Sequence, residues 1–84
     1  MKKENLETLS ACYRSLKAIQ NSVSGIMSAE EEHYEQLSQS EQEGEPGETL
    51  GFEIDALDNI EYLMDEVITF IEDNLGDRLQ RVAG

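Results

Sequence analysis

The sequence is short of basic residues, cysteine, proline and long apolar runs, and each shortage excludes something. Six Lys and Arg stand against 19 Asp and Glu, a formal net charge of −13 in 84 residues. Direct binding to nucleic acid or to an anionic membrane surface is not expected, because both need cationic patches on the protein. A single cysteine, Cys12, excludes an intrachain disulfide and fits a reducing cytoplasm. It has no second Cys and no conspicuous His partner, so it reads as a buried thiol rather than a nucleophile. Wholly apolar runs stop at two or three residues, where a membrane helix needs about 20. The stretch MKKENLETLS lacks the apolar core of a signal peptide. These shortages together point to a cytoplasmic protein with no membrane partner. There is no Trp, and Tyr13, Tyr34 and Tyr62 read as boundary residues, apolar in body and wet at the tip. No phosphate loop, zinc spacing or hydrolase triad is present, so no catalytic residues and no enzyme activity are expected.

What the chain does have is helical period. In Glu53–Asp73, Ile54, Leu57, Ile60, Leu63, Met64, Val67, Ile68 and Ile71 recur at three- and four-residue steps. Asp55, Asp58, Glu61, Asp65 and Glu72 recur at similar steps on another face, with Glu53, Glu66 and Asp73 beside them. Upstream, Leu6, Leu9, Tyr13, Leu16, Ile19, Val23, Ile26, Met27, Tyr34 and Leu37 mark a second stripe. Helix one is expected from about Asn5, a good N-cap, to about Leu37. Gly25, in a polar stretch, costs about 1 kcal/mol against Ala in a helix and leaves a kink or break open there. Ser40 with Glu43 has the spacing of a capping box, but Pro46 would then fall inside the helix. The resolution is a turn over Ser38–Pro46, with helix two running from about Gly47 to Leu75. Gly76 offers a C-terminal cap, while Leu79 and Val82 continue the spacing, so both endings stay open.

Two stripes and one turn make a single all-α domain spanning the 84 residues, an antiparallel two-helix hairpin. Its core is thin. Leu57, Ile60, Leu63, Met64, Val67, Ile68, Phe70 and Ile71 form a stripe on helix two wider than one neighbouring helix covers. A homodimer forming a four-helix bundle is the expected remedy.

The charges are segregated. Lys2, Lys3, Arg14, Lys17, Arg78 and Arg81 all lie near the chain ends, which a hairpin brings together. Sixteen of the acids fall between Glu30 and Asp73 with no Lys or Arg among them. Like charges three or four residues apart on a helix cost a few tenths of a kcal/mol per pair, which stability alone would not select. At ~1.5 Å per residue the carboxylates of Glu53–Asp73 come about one per 4 Å, and two such rows about one per 2 Å. Duplex DNA carries one charge per ~1.7 Å of axis. An acidic face of this density is suited to compete with nucleic acid for a basic groove; the plainer reading is a solvated surface. Glu30 and His33 have the Glu-x-x-His spacing of di-iron bundles. A run such as EEEH gives that spacing by composition alone, so His33 reads as a solvated residue near Tyr34, and no metal or cofactor is expected.

The stretch AEEEHYEQLSQSEQEGEPGETLGFEIDALDNIEYL resembles small acidic helical-hairpin proteins, without an established activity, of phages and mobile elements of Gram-positive bacteria. The matching features are a Glu-rich helix end with a Tyr (Glu31, Glu32, Tyr34), a Ser-Glu turn (Ser40, Glu41) and the opening of helix two (Glu53-Ile54-Asp55-Ala56-Leu57). The chain lacks the Asn-Leu-Pro-Glu turn such proteins often carry after the Tyr, and it puts Pro46 where they continue the helix. The resemblance implies a phage-borne accessory protein, many of which inhibit host machinery. Together these features lead to the expectation of a non-enzymatic, acidic interaction module. It would bind a basic, nucleic-acid-binding host defence protein by mimicking nucleic acid. The alternatives are a structural or assembly adaptor dimer and a ferritin-like metal-binding bundle.

Overall fold

A computed structural model describes the backbone of residues 1–83 and the side chains of residues 1–82. It is all-helical, with no strand among the described residues: α1 (Lys3–Gln36), α2 (Gln39–Glu43) and α3 (Glu45–Ala83). The molecule is a rod of 58 × 17 × 15 Å with a radius of gyration of 18.0 Å, where a globular chain of this length would have about 12 Å. The long helices α1 and α3 lie side by side and run in opposite directions. Tyr13 donates its hydroxyl to Glu72, and Ser24 donates to Glu61, so residue numbers rise on one helix as they fall on the other.

The line of contact follows steps of three and four residues. On α1 the covered side chains are Leu6, Leu9, Ser10, Tyr13, Leu16, Gln20, Val23, Ser24, Met27, Glu30 and Tyr34, with Leu37 just past its end; the small Ser10 is the one that is buried outright. On α3 they are Leu50, Ile54, Leu57, Glu61, Met64, Ile68, Ile71, Leu75, Leu79 and Val82. A mean step near 3.5 residues is the period of a left-handed coiled coil. It explains a departure from the expected stripe: Ile19 and Ile26 fall outside the seam, and the polar Gln20 and Glu30 fall within it. The core is correspondingly thin. Only Leu50, Ile68 and Leu79 are buried apolar residues among those described, and no side chain is fully enclosed.

Neither glycine in question ends a helix. Gly25 and Gly76 have open space where a Cβ would sit. The helical ladder runs through both because packed neighbours lie on either side, Val23 and Met27 at one, Leu75 and Leu79 at the other. Asn74 donates its amide to the Phe70 carbonyl within α3 and caps nothing. At the other end, α1 opens at Lys3 with Lys2 as a cap that makes no side-chain bond. Asn5 therefore lies inside the first turn.

The turn is shorter and more helical than its composition suggests. The capping box falls on Ser38 and Glu41, not on Ser40 and Glu43: the Ser38 hydroxyl accepts from the Glu41 N–H, and the Glu41 carboxylate accepts from the Ser38 N–H. This choice closes α2 at Glu43, before Pro46. Pro46 then sits in the first turn of α3, where its missing N–H costs nothing. Gln42 donates its side-chain amide to the carbonyls of Tyr34 and Leu37, satisfying the end of α1. Directly against it, Gly47 is buried with its ideal Cβ position 2.0 Å from the Gln42 carbonyl oxygen. The chain reverses here because one residue has no side chain.

Hydrogen bonds from the Ser38 backbone and then its hydroxyl hold the Glu41 carboxyl below its ordinary pKa. A depressed folded pKa stabilises the fold above the ordinary value, and the contribution is lost as pH falls through the lowered one. Ser38→Ala should cost about 1 kcal/mol at neutral pH, as expected for loss of an N-cap. Glu41→Ala should be less stable than the unaltered protein at neutral pH and approach it in acid. Thermal melts of both variants from neutral to acid pH check this; a Glu41→Ala deficit that widens in acid would be contrary to the assignment.

Candidate interaction surface

The α1/α3 pair has two long flanks, one on each side of the seam, and they differ in chemistry. The Ser24–Glu61 and Tyr13–Glu72 contacts mark the first. Helical period places Asp58 and Asp65 in line with Glu72, at seven-residue steps, with Asp55 farther out on the same side and Glu66 and Asp73 toward the back of α3, away from the seam. All six are exposed, and Glu61 is half-buried. The two α3 carboxylates held across the seam, Glu61 and Glu72, take their hydrogen bonds from hydroxyls and not from Lys or Arg. The Glu72 carboxylate, by accepting the hydroxyl proton, holds Tyr13 above the usual tyrosine range, and Glu66 does the same to Tyr62.

This flank is not uniformly acidic in space. Arg14 of α1 shares a groove wall with Glu72 and Asp77, and the Lys17 ammonium lies 5.3 Å from the centre of the Tyr13 ring. The uninterrupted acid is the part from Asp55 to Glu66. It extends onto α1 at a residue that reading helix two alone leaves out. Glu31 lies seven residues beyond Ser24, hence on the same side, and is exposed. The signal was available as the Ser24–Glu31 spacing, but using it requires knowing that Ser24 meets Glu61.

Glu53 does not belong to this row. It lies on the opposite flank, where Ile26 and Glu30 of α1 meet Phe52, Glu53, Ala56 and Leu57 of α3. This second flank is apolar. Ile60, Leu63, Val67 and Phe70 of the expected core stripe all point out along it, Phe70 being 67 % exposed and Phe52 77 %. Leu57, Met64, Ile68 and Ile71 turn inward to the seam, with Ile68 buried. The broad stripe is therefore two stripes, one used within the chain and one left outside. Ile19 and Ile26, each 51 % exposed, edge the same flank from α1.

At the turn end, Glu30 and His33 line an open groove of about 490 Å³ with Glu45 and Glu53 on its other wall. No group of three or more His, Cys, Asp and Glu among the described residues is disposed to hold a metal ion. Cys12 is exposed, not buried as its surroundings in the sequence suggest. It lies seven residues before Ile19 and so on the apolar flank. No helix among the described residues is long and apolar enough to cross a membrane. Comparison with protein-family models, with curated proteins and with solved structures finds no match to this chain.

Proposed function

We propose that this chain is a non-enzymatic acidic interaction module of the cytoplasm. It binds a basic, nucleic-acid-binding host protein along the carboxylate flank, as an inhibitor carried by a phage or mobile element. The flank stands in for a nucleic-acid backbone. The hairpin acts as a homodimer, two copies making a four-helix bundle. The supporting observation is the run of exposed carboxylates on α3, Asp55, Asp58, Asp65 and Glu66, with no Lys or Arg on α3 between them. Burying the like-charge repulsion of such a row against a cationic groove is favourable, and the attraction acts over the Debye length, about 8 Å at physiological salt.

The runner-up is a structural or assembly adaptor whose acid only solubilises it, and the exposed apolar flank favours it. The ferritin-like reading is left with Glu30 and His33 alone.

A fourfold variant, Asp55→Asn, Asp58→Asn, Asp65→Asn and Glu66→Gln, tests the proposal while leaving the Glu61 and Glu72 contacts intact. Immobilised protein should retain basic nucleic-acid-binding proteins from bacterial lysate at low salt and release them as salt rises. The variant should retain them at least tenfold less. Its melting temperature should stay level or rise slightly, because like-charge pairs on one helix are relieved. A variant that captures the same proteins at full strength in high salt would sink the proposal and leave the adaptor.

A further inference from the structure

We infer that a second copy of this chain packs on the apolar flank in the antiparallel sense, each basic end over its partner's acidic turn. The inference deepens the proposed homodimer by assigning its surface and its polarity.

The first ground is area. The exposed parts of Phe52, Ile60, Leu63, Val67 and Phe70, with those of Ile19 and Ile26, are substantial. Together they amount to on the order of 800 Å² of apolar surface, about one partner's share of a standard interface and more than the ~300–600 Å² patch typical of a monomer. No carboxylate interrupts this strip of α3 between Glu53 and Phe70; the acids of that stretch lie across the seam or, with Glu66, on the back of the helix.

The second ground is the order of residues. Along α3 the strip reads Phe52, Ala56, Ile60, Leu63, Val67, Phe70. Reversed about the midpoint of Ile60 and Leu63, it lays Ile60 on the partner's Leu63, Ala56 on Val67 and, to within one residue, Phe52 on Phe70. Each large ring meets a ring, and the smallest side chain meets a branched one. On α1 the only strongly exposed isoleucines, Ile19 and Ile26, are exchanged by a reversal about the point midway between them. The Ser24–Glu61 contact fixes the relative height of the two helices. By that gauge the two reversal points coincide to within about one residue, ~1.5 Å along the axis. One two-fold axis across the rod therefore serves both helices.

The third ground is charge. Glu45 lies with Thr49, Glu53 and His33 at the turn end of this flank. Arg78 and Arg81 lie at the far end, beside Met1 and Leu6. The same axis sets Arg78 of one copy level with Glu45 of the other, and Asn74 level with Thr49. A parallel arrangement would set acidic turn on acidic turn and basic end on basic end, which is repulsive at both.

The axis also carries Cys12, seven residues before Ile19, onto His33, seven residues after Ile26. His33→Cys thus creates two thiols that lie far apart within one chain, on the same straight helix, and next to each other across the dimer. The unaltered protein should show twice its 9.5 kDa mass by light scattering at micromolar concentration. With a short bis-maleimide, His33→Cys should give a covalent dimer. Peptide mapping should find Cys12 of one chain joined to the introduced cysteine of the other, in at least tenfold excess over like-to-like links. Unaltered protein, with Cys12 alone, should link at least tenfold less. Leu63→Asp and Phe70→Asp, at exposed positions, should each weaken association at least a hundredfold, with helix retained by circular dichroism at high concentration. A monomeric mass for the unaltered protein, or links joining only like positions, would overturn the inference. A monomer that still captures basic proteins defeats this inference alone. A dimer of the stated polarity that captures nothing defeats the proposed function alone.

Discussion

Gly47→Ala should destabilise the protein by about 3 kcal/mol, at the upper end of overpacking costs. The added methyl would sit 2.0 Å from the Gln42 carbonyl oxygen and 2.5 Å from its carbon, both backbone atoms. No side-chain rotation relieves that contact; α2 and the start of α3 would have to separate. Separation breaks the Gln42 hydrogen bonds to Tyr34 and Leu37 that close the end of α1. A chain of this size has roughly 4–13 kcal/mol of stability in all, and each kcal/mol moves the melting temperature of a small domain by about 4–8 °C. A fall of about 12–24 °C should therefore be seen in a thermal melt. Backbone conformation is not the cause, since no described glycine has a positive φ. Gly25→Ala and Gly76→Ala are the controls. Neither methyl meets anything within 4 Å, and each should raise stability by about 0.5–1 kcal/mol through helix propensity. If Gly47→Ala melts with those controls, the turn does not close as described.

Ile68→Asp should be as damaging, through solvation instead of sterics. Ile68 is 5 % exposed and placed between the half-buried Met64 and Ile71; one heptad from the Ser24–Glu61 contact, the exposed Lys17 of α1 lies level with it, while the nearest basic residue on α3 itself is Arg78. A carboxylate buried there costs several kcal/mol in desolvation, of which the solvated Lys17 ammonium returns about 1 kcal/mol, and the lost apolar contact adds to it. Because only three apolar side chains are buried among the described residues, loss of the central one should unfold most of the population at 25 °C. The introduced acid would have a raised pKa in the folded state. Folding is then favoured below its ordinary pKa, about 3.9, and opposed as pH rises through the folded value. The helical signal by circular dichroism should accordingly be weak at neutral pH and recover in part on acidification. Ile68→Val, by contrast, should cost only about 0.5–1.5 kcal/mol. An Ile68→Asp protein that melts like the parent at neutral pH would mean that Ile68 is not in the seam. Phe70→Asp, only two residues away, touches the other stripe and should leave the chain's own fold standing.

That pair of neighbours shows how much was legible in the sequence. Apolar residues at three- and four-residue steps dictate helix, since only that period puts them on one side. Pro46 between two glycines dictates that the chain turns near them. The segregation of six basic residues toward the ends is likewise plain from the order of residues. Helix limits were less legible. Ser38 with Glu41 and Ser40 with Glu43 offer the same cap two residues apart, and only the need to satisfy the end of α1 through Gln42 selects between them. Gly76 is a good helix end locally, yet burial of Leu79 carries the helix past it.

The assignment of faces was beyond the sequence for a physical reason. A stripe as wide as that on α3 has no inherent side. Ile68 and Val67 are equally apolar, and which is covered depends on where a second helix, some forty residues away in the chain, comes to rest. Ser24 and Glu61 carry polar groups that both accept one registration of the two helices. In that registration Gln20 and Glu30 enter the seam, Ile19 and Ile26 leave it, and Glu53 parts from the acids that follow it in sequence. Composition and period determine by themselves that this chain is acidic, helical and folded back on itself. Only the packing of α1 on α3 decides that its carboxylates line one flank and its surplus apolar residues the other, because sidedness belongs to a pair of helices and not to either one.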